Sequence, residues 1–238
     1  MDEPPKSRRI LLKISGEALK GDLDFGISNT VIDEIAKEIK QAHEYGIEIA
    51  IVTGGGNFFR GNRQKELDID RASADYMGML ATVINGIALQ DAFEKKGLIT
   101  RLVSALEITE VAEPFIRRRV IRHLEKGRII IFTAGTGSPF FSTDTAAALR
   151  AIEIKADMLL KATMVEGVFS DDPRKVKEVV KFDKISYSEI LSKELKVIDS
   201  TAITLCKENK LHVKIFDLTK KGNIFKAIKN ENIGTLIN

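Results

Sequence analysis

The chain has 238 residues, of which 44% are hydrophobic and 30% charged, values typical of a globular protein that can bury a large core. Its formal net charge is only +3 and is spread along the chain, which argues against nucleic acid as the main partner. The single cysteine, Cys206, excludes an internal disulfide framework and fits a reducing cytoplasm.

Membrane and metal-site classes are also disfavoured. No apolar run approaches the roughly 18 residues that a membrane span needs. The polar start "MDEPPKSRR" is unlike a signal peptide, so we expect a cytoplasmic protein. His43, His123 and His212 have no partner at ligand spacing, and we therefore predict no metal site built from protein side chains.

In chain order, the first half alternates between strand and helix patterns. "RILLKI" from Arg9 to Ile14 predicts a buried strand, and Ser28 or Asn29 can cap a helix that Gly46 closes. "IEIAIVT" predicts a second strand, which ends in three glycines. A long helix is predicted from about Arg71 to Lys95, followed by the strand "ITRLVSA".

The second half continues the alternation with shorter elements. "PFIRRRVIRHLEKG" predicts a helix, "RIIIFTA" a strand, and a further helix follows to about Ala156 before the strand "DMLLKAT". Beyond these lie "EVVKFD", the helices "YSEILSKEL" and "DSTAITLCKEN", the strand "HVKIFD", the helix "NIFKAIK" and a last strand "GTLI". Apolar strands without period-two alternation predict a parallel sheet covered by helices on both faces.

Four of these strands end in loops that suit an anionic ligand. Their sequences are "LLKISGEAL", "IVTGGGNFFRG", "TAGTGSPFFSTD" and "LLKATMVEGVFSDDP". Bare glycines let backbone N–H groups approach a phosphate, and Lys13 and Arg60 supply cations. One such loop by itself is more often a structural turn, but parallel strands bring all four to one edge of the sheet, where ligands bind.

The common phosphate and nucleophile motifs are absent. The sequence contains no Gly-x-x-x-x-Gly-Lys-Ser/Thr and no Gly-x-Gly-x-x-Gly after a strand, which disfavours P-loop and dinucleotide-binding proteins. Ser138 lacks a Gly-x-Ser-x-Gly context, which disfavours a serine hydrolase. Phosphoryl transfer to an anionic acceptor needs charge neutralisation rather than a general base. In such a reaction Asp144 would hold a lysine in place, a role compatible with helix capping.

The blocks "RILLKISGEAL", "TGGGNFFRG", "ADYMGMLATVINGIALQDA", "GTGSPFFSTDTAAALRAIEI", "KATMVEGVFSDDP" and "YSEILSKELKVID" resemble the bacterial uridylate (UMP) kinases of the amino-acid kinase superfamily. The similarity extends from about Arg9 to "GTLI". It implies one domain over residues 1–238, with a three-layer α/β/α sandwich around a mainly parallel sheet. It also implies transfer of a phosphoryl group from ATP to UMP with Mg²⁺, in pyrimidine biosynthesis, by a homohexamer. Residues up to about 160 would bind UMP and residues 161–238 ATP.

The resemblance also implies roles for individual residues. Lys13, Asp144 and Arg60 would be catalytic, with Asp144 orienting Lys13. The ATP site would contain Lys13, Ile14, Ser15, Gly16, Gly56, Arg60, Thr163, Phe169 and Asp172. The UMP site would contain Gly55, Asp75, Thr136, Gly137, Ser138, Pro139, Phe140, Phe141, Ser142 and Thr143. GTP activation would involve Arg101 and Arg128, and UTP would inhibit.

The sequence departs from the family pattern at several positions. Ser138 stands where asparagine is common, Met164 where lysine is usual and Glu166 where aspartate is usual, while Glu94 takes a position that is histidine in some members. The alternative for Arg101 and Arg128 is that they are solvated charges at strand ends.

Local sequence alone favours a structural interpretation for several residues. It favours a surface charge for Asp75, core or subunit packing for the Met77–Met79–Leu80 stripe, and a strand-end position for Lys161. We therefore leave Lys161 out of the predicted catalytic set.

Two other functions stay open beside UMP phosphorylation. A relative that phosphorylates a carboxylate or carbamate is the second functional hypothesis. A nucleotide-sensing regulatory or DNA-binding protein is a third, which the weak net charge disfavours.

Overall fold

A computed structural model of the chain describes residues 9–59, 68–171, 176, 178–195 and 197–238. The strands are β1 Arg9–Ile14, β2 Glu48–Thr53, β3 Thr100–Ser104, β4 Glu113–Pro114, β5 Ile129–Thr133, β6 Met158–Thr163, β7 Val168–Phe169, β8 Lys181–Phe182, β9 Lys184–Ile185, β10 His212–Asp217 and β11 Thr235–Ile237. The helices are α1 Gly16–Leu19, α2 Asn29–Glu44, α3 Arg71–Glu94, α4 Arg117–Glu125, α5 Thr143–Glu153, α6 Tyr187–Ser192, α7 Ser200–Glu208 and α8 Asn223–Ile228.

One mainly parallel sheet organises the described part of the chain. Its nine strands run in the order β4-β3-β5-β2-β1-β6-β10-β11-β9. Every pairing from β4 across to β10 is parallel, and β11 is antiparallel to β10. Strands β7 and β8 form a separate antiparallel pair. Because β1 pairs with β2 on one side and β6 on the other, the chain direction across the sheet reverses at β1, the kind of position where ligands bind in α/β folds.

Helices cover both faces of this sheet. On β1, Ile10, Leu12 and Ile14 belong to one buried cluster, which includes residues of α2, α3 and α8, while Leu11 belongs to a second cluster with residues of α4, α5, α6 and α7. Successive side chains of a strand point to opposite faces, so apolar runs without alternation mark strands buried on both sides. The predicted three-layer α/β/α sandwich is confirmed.

Local sequence signals set the helix boundaries. Ser28 caps α2 by accepting a hydrogen bond from the Val31 N–H, and Gly46, with a φ of 76°, lies just beyond its end. Ser142 caps α5 in the same way through the Thr145 N–H at 3.0 Å. Of the segment "EVVKFD", Lys181 and Phe182 form the short strand β8.

The buried face of α3 differs from the predicted apolar stripe. Met79 is buried, but Met77, Leu80, Ile84 and Ile87 are 40 to 50% exposed. Of the two alternatives for this stripe, core packing is therefore wrong for Met77 and Leu80. No helix in the described ranges is long and apolar enough to cross a bilayer.

Candidate active site

The four loops singled out in the sequence follow adjacent strands. Strands β5, β2, β1 and β6 are neighbours in that order and all parallel, so their carboxyl ends lie at one edge. Segments that are separated by up to about 150 residues in the chain therefore meet in one place. The predicted convergence of these loops is present in the fold.

A buried carboxylate between two lysines forms the centre of this edge. Asp144, in the first turn of α5, lies 3.0 Å through Oδ1 from Nζ of Lys13 and 2.5 Å through Oδ2 from Nζ of Lys161. Lys161 also donates to the backbone oxygen of Val197 at 2.5 Å. All three side chains are at most 15% exposed. Asp144 thus fixes two ammonium groups at the helix start where both strands end.

Burial and charge act in opposite directions on these groups. Burial by itself would raise the pKa of Asp144, but Lys13 and Lys161 outweigh it and hold that pKa below its ordinary value. Burial lowers the pKa of Lys161, and Asp144 only partly offsets that effect. The carboxylate therefore stays ionised at neutral pH and is poorly suited to act as a general base.

Lys161 belongs to this centre although the sequence analysis left it out. Lys13 and Lys161 are direct register partners on β1 and β6, which puts both side chains on the same face of the sheet. A signal was present in the sequence: both strands end in Leu-Leu-Lys followed two residues later by serine or threonine, "LLKIS" and "LLKAT". The repeated pattern indicates two equivalent strand ends.

The glycines after β1 and β2 allow two loops to touch through their backbones. A Cβ on Gly16 would lie 2.5 Å from the oxygen of Gly54 and 2.7 Å from the nitrogen of Gly56. A Cβ on Gly55 would lie 2.5 Å from the oxygen of Gly78 on α3. Any larger residue would separate these segments. The predicted Gly16, Gly55 and Gly56 therefore lie together beside Lys13.

The hydroxyl-rich loop, residues 134–142 between β5 and α5, is held by a hydrogen bond near its tip. Ala134, at its start, has a φ of 61°, and Phe140, near its tip, has a φ of 71°. The Phe140 N–H donates to Oδ2 of Asp75 at 2.7 Å, so Asp75 faces this loop instead of being a plain surface charge. Thr136 Oγ1 bonds the backbone of Ser138. The Phe140 and Phe141 side chains are 66% and 52% exposed.

Asp199 ties the far end of that loop to α7. It caps α7 by accepting from the Ala202 N–H at 2.9 Å, and it also accepts from the hydroxyls of Thr145, at 2.9 Å, and Ser142. Sequence analysis missed this residue because an aspartate before a helix is explained by capping alone.

The predicted ATP residues are partly within the described chain. Ile14 and Ser15 follow Lys13 directly, Thr163 ends β6 with its hydroxyl bonded to the backbone of Val165, and Phe169 lies half-buried on β7. Arg60 and Asp172 lie outside the described residues.

A cavity of about 460 Å³ opens next to the centre, lined by Asp144, Lys161, Asp199 and the apolar residues Ile190, Ile198 and Ile203 among others.

Arg101 and Arg128 are not part of this edge. Arg101 is the second residue of β3 and Arg128 precedes β5, so both lie towards the amino ends of the strands. Arg101 is 3.4 Å from Glu113, and Arg128 contacts His123, which itself lies 3.2 Å from Glu113. Glu94 accepts a hydrogen bond from Thr100 at 2.7 Å.

Within the described ranges, no group of three or more His, Cys, Asp or Glu side chains could hold a metal ion.

Comparison with known proteins identifies the family of this chain. Residues 8–217 match the sequence model of the amino acid kinase family. The chain belongs to the amino acid kinase family. Among solved structures, UMP kinase from Bacillus anthracis is 36% identical with a TM-score of 0.95, covering 98% of this chain and 96% of that one. UMP kinase from Ureaplasma parvum is 35% identical with a TM-score of 0.93, covering 97% and 98%.

A third solved structure shares the architecture at lower identity. Uridylate kinase from Archaeoglobus fulgidus is 28% identical with a TM-score of 0.73, covering 96% of this chain and 99% of that one. The likeness to the bacterial proteins is thus stronger in both sequence and structure. The resemblance to bacterial UMP kinases that the sequence blocks indicated is confirmed.

Proposed function

We propose that this protein is a phosphotransferase that moves the γ-phosphoryl group of ATP to UMP, producing UDP and ADP for pyrimidine nucleotide biosynthesis. The observation that carries the proposal is the Asp144 carboxylate held between Lys13 and Lys161 where the phosphate-suited loops meet. The solved UMP kinases of Bacillus anthracis and Ureaplasma parvum, which share this fold over nearly the whole chain, support UMP as the acceptor.

The chemistry requires charge neutralisation at a transferring phosphoryl group. Charge spreads over its equatorial oxygens in the transition state, and fixed cations and N–H groups lower its energy. Lys13 stabilises that charge, and Asp144 keeps the ammonium group in place. The UMP phosphate is already anionic, so no general base is needed, in agreement with an ionised Asp144.

Magnesium enters with the nucleotide in this proposal. Mg²⁺ in kinases is bound largely by substrate phosphates and keeps several waters, so a dedicated protein cage is not required. Both oxygens of Asp144 already face lysines, which makes it a poor metal ligand. We therefore assign no residue of this chain as a metal ligand.

The two nucleotides lie on opposite sides of the lysine centre in this proposal. The part up to about residue 160 binds UMP through Gly55, Asp75 and the loop Thr136–Thr143. The part from about residue 161 binds ATP through Thr163 and Phe169, together with residues 14–16 and 56. Arg60 and Asp172 complete the ATP set by resemblance alone. The short side chain of Ser138 leaves more of the UMP contact to backbone groups.

We extend the proposal to regulation by GTP, with UTP as an inhibitor. The region around Glu113 gathers Arg101, Arg119 and His123, with Arg128 on the far side of His123, so cations exceed anions there. An excess of guanidinium groups suits a triphosphate. Steady-state rates with and without GTP for wild type and Arg101→Gln test this, and an undiminished GTP response in the variant would contradict it.

A cytoplasmic homohexamer is the expected assembly. One face of α3 exposes an apolar set that would be costly to leave in water: Tyr76, Met77, Leu80, Ile84 and Ile87. Contact between copies of this chain through α3 would bury that face.

ADP production from ATP and magnesium tests the reaction itself. UMP, CMP, dUMP and acetylglutamate are offered side by side to wild type and Lys13→Ala. We expect turnover with UMP, reduced by about 10²-fold or more in the variant. Turnover with acetylglutamate instead would move the protein to a carboxylate-phosphorylating branch. Binding of ATP without turnover of any acceptor would favour a regulatory role.

A further inference from the structure

The inner face of α3 contacts the backbones of both loops that the proposed UMP site uses. Asp75, Thr82 and Asn85 lie on one side of this helix at spacings of seven and three residues. Each bonds an atom of a substrate loop. Thr82 and Asn85 are buried, at 4% and 0% exposure.

Asn85 holds the glycine loop, residues 54–57 directly after β2. Its Nδ2 donates to the oxygen of Gly54 and to Oδ1 of Asn57, both at 2.8 Å. In return, Nδ2 of Asn57 donates to Oδ1 of Asn85 at 2.8 Å and to the oxygen of Gly26 at 2.8 Å. Two buried amides thus satisfy each other and join the glycine loop, α3 and the segment before α2. The contact between Gly55 and the α3 backbone leaves little room for adjustment.

Thr82 holds the start of the hydroxyl-rich loop. The Ala134 N–H donates to Thr82 Oγ1 at 2.7 Å, and the hydroxyl donates in turn to the oxygen of Met79 at 2.6 Å. Ala134 is the residue whose positive φ turns the chain out of β5. An alanine in that conformation carries a backbone cost that surrounding bonds must offset. The hydroxyl of Thr82 supplies the partner for its buried N–H.

We propose that Thr82 and Asn85 are positioning residues, which set the separation of the glycine loop and the hydroxyl-rich loop and thereby the placement of UMP. The inference rests on the proposed function for the reaction that it serves. Loss of the Thr82 hydroxyl leaves the buried N–H of Ala134 without its partner. Loss of the Asn85 amide takes the donor from Oδ1 of the buried Asn57 and leaves the Gly54 oxygen only the Thr53 hydroxyl, so in each case the loop shifts to regain a partner. A misplacement of about 1 Å costs on the order of 10²-fold in rate when reacting groups must align.

Isosteric and conservative variants separate positioning from ordinary core stability. Thr82→Val keeps the shape and removes the hydroxyl, whereas Thr82→Ser restores it, and Asn85→Leu removes the amide. Tyr187→Phe is the matched control, because Tyr187 is buried and its hydroxyl donates to the oxygen of Leu211, next to β10 and at the opposite end from the substrate loops. For each protein we would measure kcat and KM for UMP and ATP, the melting temperature, and amide hydrogen exchange by peptide.

We expect Thr82→Val and Asn85→Leu to lower kcat/KM for UMP by about 10- to 100-fold. Exchange should rise around residues 134–141 in the first variant and 54–59 in the second. Thr82→Ser should recover both readouts, and Tyr187→Phe should lose only stability. If Asn85→Leu does not fold, the Thr82 pair still decides the positioning role at the hydroxyl-rich loop.

The two readouts also distinguish this inference from the proposed reaction. Variants that lose stability like Tyr187→Phe, with wild-type kcat/KM or wild-type loop exchange, would overturn the positioning role. Absence of UMP turnover in wild type would refute the proposed function instead. In that case the exchange pattern alone would decide whether Thr82 and Asn85 hold the loops.

Discussion

At the scale of single residues, Lys161 is the strongest candidate for a further role in phosphoryl transfer, beyond the residues that the sequence pointed to. Its ammonium group contacts Oδ2 of the Asp144 carboxylate, and the ammonium group of Lys13 contacts Oδ1. We predict that Lys161→Met lowers kcat for UMP phosphorylation by about 10²-fold with a smaller effect on KM, because the centre loses a fixed cation. Initial rates at saturating ATP and UMP measure this.

Lys214→Met is the matched control for that substitution. Lys214 is also buried in the sheet, on the neighbouring β10, but its Nζ bonds Asn230 and the oxygen of Glu231 instead of Asp144. Its kcat should remain close to wild type. A Lys161→Met enzyme with wild-type kcat would show that Lys161 only fills space beside Asp144.

From the sequence, a specific motif pointed to residues that the structure brings together, whereas a side chain with two ordinary explanations was left out of the predicted site. The glycines and Lys13 stood out, and the structure puts Lys13 against Asp144. Lys161 did not, because a lysine at a strand end is usually solvated. Only the register that pairs Lys13 with Lys161 shows that both point to the same face. Register depends on the whole sheet and is not encoded in either segment alone.

Lys214 also gives the protein a pH-dependent stability with a definite sign. Burial lowers its pKa to about 8 in the folded chain, from an ordinary value of 10.5. Between these values the unfolded chain binds a proton that the folded chain lacks, so this contribution to stability rises with pH. Denaturant unfolding at pH 7.5 and 9.5 should show wild type gaining about 2 kcal/mol relative to Lys214→Met. An unchanged difference would contradict the lowered pKa.

At the scale of elements, the starts of α5 and α7 are joined by one aspartate. Asp199 caps α7 and also accepts from Ser142 and Thr145, which begin α5 at the end of the hydroxyl-rich loop. We predict that Asp199→Ala destabilises the fold by about 1–2 kcal/mol and also raises KM for UMP several-fold. Unfolding curves and steady-state kinetics provide the two measurements.

A cap without such a connection isolates the second effect. Ser186 caps α6 in a capping box with Glu189, and both residues have their bonds within that turn. Ser186→Ala should cost a similar free energy of unfolding and leave KM for UMP unchanged. Equal kinetic behaviour of the two variants would show that Asp199 acts as a helix cap and nothing more.

The apolar face of α3 shows why periodicity alone did not identify the buried side of an element. Apolar residues surround much of this helix: Ala74, Met79, Val83, Leu89 and Phe93 are buried, while Met77, Leu80, Ile84 and Ile87 are exposed. A helix that is apolar on several sides has no single stripe to predict its orientation. Its inner side was decided by the loops it contacts, through residues such as Asn85 that sequence gave no reason to notice.

At the scale of the whole molecule, that exposed face predicts association of the chain with copies of itself. We expect a homohexamer in solution, with α3 packed against α3 of a neighbour. Burial of the four aliphatic and methionine side chains is worth on the order of 1.5–3 kcal/mol each when complete. Leu80→Glu and Ile84→Glu would place charges in the contact and should reduce the particle to smaller species.

Sedimentation velocity of wild type and both variants across a range of protein concentrations measures this. Tyr45→Glu is a suitable control, since Tyr45 is also a large exposed side chain, at 65%, and lies at the end of α2 instead of on α3. The control should keep the wild-type mass. Because the opposite face of α3 contacts both substrate loops, dissociation should also reduce kcat/KM for UMP. A wild-type monomer with full activity would refute both the assembly and its link to the site.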